Sequence, residues 1–170
     1  MATETPDYKV VLKSDDFETR RYPPVLIAET VVDGDFDSAS SAGFKRLAGY
    51  IFGGNISEQK IAMTAPVGQM SKDRKFVISF TMPRSYTLES LPIPKDKNVT
   101  LKLVPEKTYA AICFSGTWSQ SRYQAHLQSL RTWIEQQHFT ALGEPTFARY
   151  DPPWTPWFMR RNEILIEIQN

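Results

Sequence analysis

Twice along this chain an extended run ends in a glycine, one further residue and an aromatic, and then passes into a helical period. Ala28-Glu29-Thr30-Val31-Val32-Asp33-Gly34-Asp35-Phe36 matches Ala110-Ala111-Ile112-Cys113-Phe114-Ser115-Gly116-Thr117-Trp118 in this pattern. Two extended segments follow each helix. A strand-pair, helix, strand-pair unit cannot cover its own sheet, because edges and one face stay open. Two such units packed together answer both needs. The pattern therefore predicts an α+β fold, in which duplicated strand-pair/helix/strand-pair units form a distorted antiparallel eight-stranded β-barrel flanked by two α-helices. The half-solvated alternation of the strands disfavours a doubly wound parallel sheet. The 170 residues suit one domain, 1–170, with pseudo-repeat halves at about 8–82 and 99–168.

Local signals place the elements. Residues 8–13 and 17–22 read as strands around the turn Ser14-Asp15-Asp16, and Pro23-Pro24 interrupts pairing. Residues 25–32 form a strand rich in β-branched side chains. Asp37 or Ser38 is the expected N-cap of a helix over 37–53, where Phe44, Leu47, Ala48 and Ile51 recur at helical spacing. Gly53-Gly54-Asn55 ends it. Strands are expected at 60–67 and 75–82, a loop at 83–98, and strands at 99–104 and 108–114 around Pro105-Glu106-Lys107. Ser119 caps a second helix over 119–137 whose apolar face is Tyr123, Leu127, Leu130, Trp133 and Ile134. Strands near 146–150 and 163–168 flank a proline-rich loop.

Most chemistries find no constellation. The net charge of +1 gives no global field toward nucleic acid, and there is no basic stripe. Cys113 is the single cysteine, so no intrachain disulfide forms. The acidic start lacks the apolar run of a signal peptide, and nothing approaches the roughly 20 apolar residues that span a bilayer. A cytoplasmic protein is the expectation. One cysteine with His126 and His138 makes no structural zinc set. Gly53-Gly54-Asn55 follows a helix, whereas a phosphate cradle precedes one. Glu18, Glu29 and Glu163 read as solvated strand carboxylates, with no two paired as acid and base. Cys113 reads as a small core residue and His138 as a helix-end cation. His126 sits at the edge of the second helix's apolar stripe. It reads as a half-buried histidine and is the one imidazole weighed as an axial metal ligand.

The richest stretch is Tyr150-Asp151-Pro152-Pro153-Trp154-Thr155-Pro156-Trp157-Phe158-Met159-Arg160-Arg161-Asn162-Glu163. It carries large aromatics on a proline-stiffened loop and then two arginines. Flat rings stack on flat rings and guanidinium forks grip carboxylates. Such a loop suits a planar ligand with acidic edges. The competing reading is a plug for one end of the barrel, with the arginines paired to acids.

Four blocks carry a family resemblance. Phe17-Glu18-Thr19-Arg20-Arg21-Tyr22-Pro23-Pro24 resembles the opening strand motif of the SOUL haem-binding family. Gly43-Phe44 through Tyr50-Ile51-Phe52-Gly53-Gly54-Asn55 resembles its first helix and cap. Lys60-Ile61-Ala62-Met63-Thr64-Ala65-Pro66-Val67 is similar to its best-marked strand. Tyr150-Asp151-Pro152-Pro153 with Arg160-Arg161-Asn162-Glu163 is similar to its C-terminal signature.

The resemblance implies haem or a related tetrapyrrole bound at a shallow apolar surface beside the first helix. Phe44 and Ala48 stand where one branch of the family has methionines, and Ser41 falls near a basic residue of that branch. Lys45, Arg46 or the arginine pair are the cations that could replace it. Together the loop composition and the resemblance assign ligand binding to Phe44, Lys45, Ala48, Phe52, Met63, Trp154, Trp157, Arg160 and Arg161. Arg21 occupies the place of an axial histidine in some members, so no family-type iron ligand is expected, and His126 is the remaining option. The implied role is a carrier, buffer or sensor with haem or porphyrin as partner, no nucleic acid, no membrane span and no catalytic residues. The alternative is a small-molecule sensing or protein-interaction module on the same fold. A fold likeness to the effector-binding domains of some transcription regulators is also implied.

Overall fold

The computed structural model describes residues 3–169. In chain order the elements are β1 (Lys9–Ser14), β2 (Phe17–Tyr22), β3 (Val25–Val32), α1 (Phe36–Ile51), β4 (Val67–Lys72) and β5 (Lys75–Thr81). They continue with β6 (Thr100–Val104), β7 (Lys107–Phe114), α2 (Gln120–Gln136), β8 (Thr146–Arg149), a short 3-10 turn (Trp157–Met159) and β9 (Asn162–Glu167). The expected α+β class holds: two helices accompany antiparallel strands, and the described residues hold nine of them rather than eight.

The chain forms two compact units, one of Met1–Pro6 with Pro24–Pro105 and the other of Asp7–Pro23 with Glu106–Asn170. Every boundary falls at a proline. Proline cannot donate to a strand ladder, so each is a point where the chain leaves one group of paired strands. The opening hairpin therefore joins the strands of the chain's second half, and β6 joins those of the first half.

In the first unit the strands run β4-β5-β3-β6, all antiparallel. Gly34 has φ +117, a conformation that favours glycine, and it turns the chain into α1. The cap is Asp35, not Asp37 or Ser38: its carboxylate accepts the Ser38 N–H at 2.8 Å. The turn at Gly34 places Asp35 in the extended conformation that a capping residue needs. Helix α1 buries Ala39, Gly43, Leu47, Ala48, Tyr50 and Ile51. A Cβ at Gly43 would lie 2.2 Å from Ile78 Cγ1, so glycine is what lets the helix approach β5 this closely. After the helix, Asn55 is fully buried and satisfied: its amide donates to Tyr50 O and Gln59 O and accepts from the Gln59 N–H.

The strand expected at 60–67 is not a ladder. Only isolated bridges form there, Phe52 with Lys60 and Glu4 with Thr64, and the regular strand begins at Val67. Pro66 lacks an amide, and Ile61 N–H is already taken by Ile51 O at 2.7 Å. Strand β4 was not visible in the sequence, because its Val-Gly-Gln-Met-Ser-Lys run is neither alternating nor β-branched. The stretch at 83–98 holds no helix or strand, as expected.

In the second unit the order is β1-β2-β7-β9-β8, again antiparallel. Helix α2 buries Tyr123, Leu127, Leu130, Trp133 and Ile134, the face its spacing predicts, and the Ser119 hydroxyl accepts the Arg122 N–H at 3.3 Å. Strand β1 is exposed throughout. A bulge between Val10 and Leu12, with Lys9 and Lys13 at its ends, breaks the regularity of that edge.

Two helical glycines should respond oppositely to alanine. Gly43→Ala forces Ile78 to move and should cost about 1–3 kcal/mol in urea unfolding. Gly49 has open space around its α-carbon, so Gly49→Ala should stabilise by about 0.5–1 kcal/mol. Equal signs for the two would contradict the packing described.

Candidate functional site

The residues singled out from the sequence divide between the two units. Phe44, Lys45, Ala48, Phe52 and Met63 belong to the first; His126, Trp154, Trp157, Arg160 and Arg161 belong to the second.

On α1, Phe44, Ala48 and Phe52 follow at four-residue spacing, which keeps them near one face. Phe44 is 43% exposed and Phe52 63%, while Ala48 is buried, so two rings flank a low point. Phe44 is held edge-on to Phe80 at 5.3 Å between centroids. The segment after the helix returns alongside its end: Phe52 bridges Lys60 antiparallel, and Ile61 N–H donates to Ile51 O. That return puts Met63, half-buried, against the unit's core. It also places Lys60 beside Phe52, since directly paired residues project to the same side. Lys45 and Lys60 are exposed and have no ion-pair partner among the described residues. Arg46 is committed elsewhere, donating to Thr30 Oγ1 at 2.7 Å and lying 3.7 Å from Asp96. The face is thus an apolar surface with two free ammonium groups. Lys60 escaped the sequence reading because only the helix–return bridge brings it to the helix.

In the second unit, β2 places Glu18, Arg20 and Tyr22 on one face through its period of two. Arg20, 2% exposed, forms a bidentate pair with Glu163, 0% exposed, at 2.7 Å for each bond. Its remaining donors meet Glu18 at 2.7 Å and Tyr22 Oη at 3.0 Å, and its guanidinium lies over the Tyr8 ring. Arg161 donates to Glu163 at 2.9 Å and to Tyr8 Oη at 3.1 Å, and stacks on Tyr150. Burial alone would push the Glu163 carboxyl up. The two guanidiniums outweigh it and hold the carboxyl below its ordinary range. The same burial pushes the Tyr22 hydroxyl up to about 12. Glu163 is therefore not the solvated strand carboxylate expected from the sequence. Strand β9 lies between β7 and β8, and Glu163 is closed off where an edge-strand carboxylate would meet water. Glu29 does pair at the surface, with Lys102.

The arginine pair is structural in geometry. Arg160 donates to Thr155 O at 2.9 Å and Pro153 O at 2.7 Å and stacks on Trp118 at 4.4 Å. Arg161 is spent on Glu163 and Tyr8. Above them Trp154, Trp157, Phe158 and Met159 point into solvent, Trp154 with 83% of its surface exposed. His126 is half-buried as expected. Its Nδ1 bonds Arg122 O at 2.8 Å and its ring stacks on Phe114 at 3.8 Å. Arg21 faces Glu106 at 3.8 Å. His138 takes φ 59 just past α2. Cys113 is half-buried, and burial pushes its thiol up. Among the described residues no three His, Cys, Asp or Glu side chains cluster to hold a metal, and no helix is long and apolar enough to cross a membrane.

Comparison with known proteins places the chain. Residues 3–167 match the family described as SOUL heme-binding protein, and the chain belongs to that family. Heme-binding protein 2 of Homo sapiens is 31% identical over 99% of this chain and 88% of its own length. Heme-binding protein 2 of Mus musculus is 28% identical over 98% and 90%. The C-terminal domain of EcmrR shares the fold, with TM-score 0.71 at 13% identity over 96% of this chain and 98% of that one.

The buried pair makes a pH prediction. Glu163 is held below its ordinary range in the fold and returns to the ordinary glutamate range when unfolded. Its contribution is fully present above that unfolded range and is lost as pH falls through the folded value. Urea stability of the wild type should drop as pH falls through and below the ordinary glutamate range. Glu163→Gln leaves Arg20 without its buried anion. It should cost about 3–5 kcal/mol at neutral pH and flatten that acid limb. An unchanged acid limb would assign the acid sensitivity to other groups.

Proposed function

We propose that this protein binds haem or a related tetrapyrrole on the exposed face of α1 and acts as a carrier, buffer or sensor rather than as an enzyme. The observation that carries this is the pairing of two exposed rings, Phe44 and Phe52, set about the buried Ala48, with two ammonium groups that have no ion-pair partner among the described residues, Lys45 and Lys60. A porphyrin has a flat apolar face and carboxylates on one edge. Those are the two chemistries this surface offers. Family membership and the heme-binding relatives support the same ligand.

The low point at Ala48 lets a ring approach between the two phenylalanines, and Met63 supplies a polarisable neighbour. Covering one face of the macrocycle stabilises the complex by several kcal/mol at about 25 cal/mol per Å². Association entropy offsets part of that gain, which leaves affinity of about micromolar order. Lys45 and Lys60 neutralise the carboxylates from water-exposed positions, so each contributes about 0–1 kcal/mol. Bound haem supplies a conjugated ring and an iron centre. None of the residues on this face is an imidazole, and Arg21 stands where a ligating histidine occurs in some members. The ring face and its carboxylates therefore govern binding. Trp154, Trp157, Arg160 and Arg161 are left out of this site, because both guanidiniums are already bonded within their own unit.

A titration followed by Soret absorbance tests the reading. Iron-free protoporphyrin should bind within about tenfold of haem, or about 1.4 kcal/mol. Phe44→Asp should weaken both, and Lys45→Gln with Lys60→Gln should cost less than about tenfold and act alike on both. His126→Ala should leave the Soret maximum in place. A folded Phe44→Asp protein of unchanged affinity would move the site off α1, and a spectrum abolished by His126→Ala would put it on α2.

A further inference from the structure

Four consecutive-region side chains, Trp154, Trp157, Phe158 and Met159, are each at least 60% exposed, although each is large and apolar. Such a contiguous patch is uncommon on a soluble chain unless something covers it. Mobility does not explain it. Pro152, Pro153 and Pro156 stiffen the backbone, and the Trp157–Met159 turn is regular. From beneath, Arg160 ties the loop to itself and rests on Trp118, whose indole N–H donates to the buried Asn162 at 2.7 Å.

Two features choose the partner. First, residues 152–159 carry no charged side chain, and the flanking charges are turned inward. Asp151 accepts the Arg161 N–H at 2.6 Å, and Arg160 is spent on carbonyls. Second, five of the eight carbonyls of residues 152–159 are answered by donors of the same unit. Pro152 O accepts from Thr155 N–H, Pro153 O and Thr155 O from Arg160, Pro156 O from Met159 N–H, and Trp157 O from Gly116 N–H. An apolar phase supplies no donors, so each carbonyl already answered by the protein lowers the cost of entering it. Tryptophan at the tip, with an apolar body and one N–H, is the side chain that favours the headgroup–acyl boundary.

We propose that the 152–159 loop is a membrane-interface anchor, inserting Trp154, Trp157, Phe158 and Met159 into the surface of a phospholipid bilayer without spanning it. The insertion is driven by apolar burial, so it requires no anionic lipid. It is independent of the α1 reading, and the test uses the protein without any tetrapyrrole.

The full chain is mixed with phosphatidylcholine vesicles, with and without phosphatidylserine, and scored by flotation and by quenching of tryptophan fluorescence with brominated phosphatidylcholine. The wild type should partition onto both vesicle types and be quenched by the brominated lipid. Trp154→Ser with Trp157→Ser, at an unchanged thermal melt, should lower the partition coefficient at least about tenfold. Quenching of the wild type serves as the second measurement if that variant melts early, because Trp133 is buried and Trp118 lies under arginine. Three results would overturn the proposal. One is a wild type that stays with neither vesicle. Another is partition only onto phosphatidylserine that the double variant retains. The third is self-association without lipid binding that the double variant abolishes, which would make a second copy the occupant.

Discussion

A carboxylate with no exposed surface stays ionised only if every lone pair finds a donor and its charge finds a partner in the same dry space. Glu163 meets that condition with a bidentate bond from Arg20 and a second guanidinium from Arg161. The demand spreads outward. Arg20 in turn needs Glu18 and Tyr22, which ties β2 into the second unit. Arg161 needs Tyr8 and Tyr150, and its backbone amide holds Asp151. Once Arg161 is engaged in this way, the chain two residues before Glu163 has a fixed course. Arg160 then falls on the other side, where it braces the aromatic loop. The opening hairpin, the C-terminal strand and the loop between β8 and β9 thus answer to one buried charge.

That arrangement also separates the charges usable by a ligand from those used by the fold. An arginine that donates to two backbone carbonyls and stacks on an indole has two of its five donors and one face committed to the fold. The lysines on the α1 side are the reverse case. Lys45 and Lys60 are exposed, with no ion-pair partner among the described residues, on the side of α1 that carries the exposed rings of Phe44 and Phe52. An exposed ammonium contributes little to folding, which leaves it free to act on a ligand at small cost to stability. Binding at this face therefore depends on ring burial for strength and on the lysines for orientation.

The close approach at Gly43 positions that face. Helix α1 lies on β5 because one residue has no side chain to hold it off. The same approach buries Leu47 and Ile51, while Phe44 rests edge-on against Phe80 with part of its ring exposed and Phe52, just past the helix end, stays largely exposed.

Periodicity and turn chemistry, which are local, made much of the fold legible from sequence. The apolar stripe of α2, its Ser119 cap, the glycine that turns the chain into α1 and the strand–helix repeat all follow from residues near one another in the chain. The exposed aromatic loop was legible too, as a proline-stiffened run of large rings. What pairs with what was not, because pairing partners lie far apart in sequence. The 143-residue separation of Arg20 and Glu163 made the acid of a buried ion pair look like a solvated strand carboxylate. The segment at 60–67 looked like a strand, yet its amide at Ile61 was claimed by the end of α1. Lys60 reached the α1 face by that same bond. Local chemistry determined which residues could form helices, turns and strands; only the tertiary structure decided which charges were consumed by folding and which stayed free to meet a ligand.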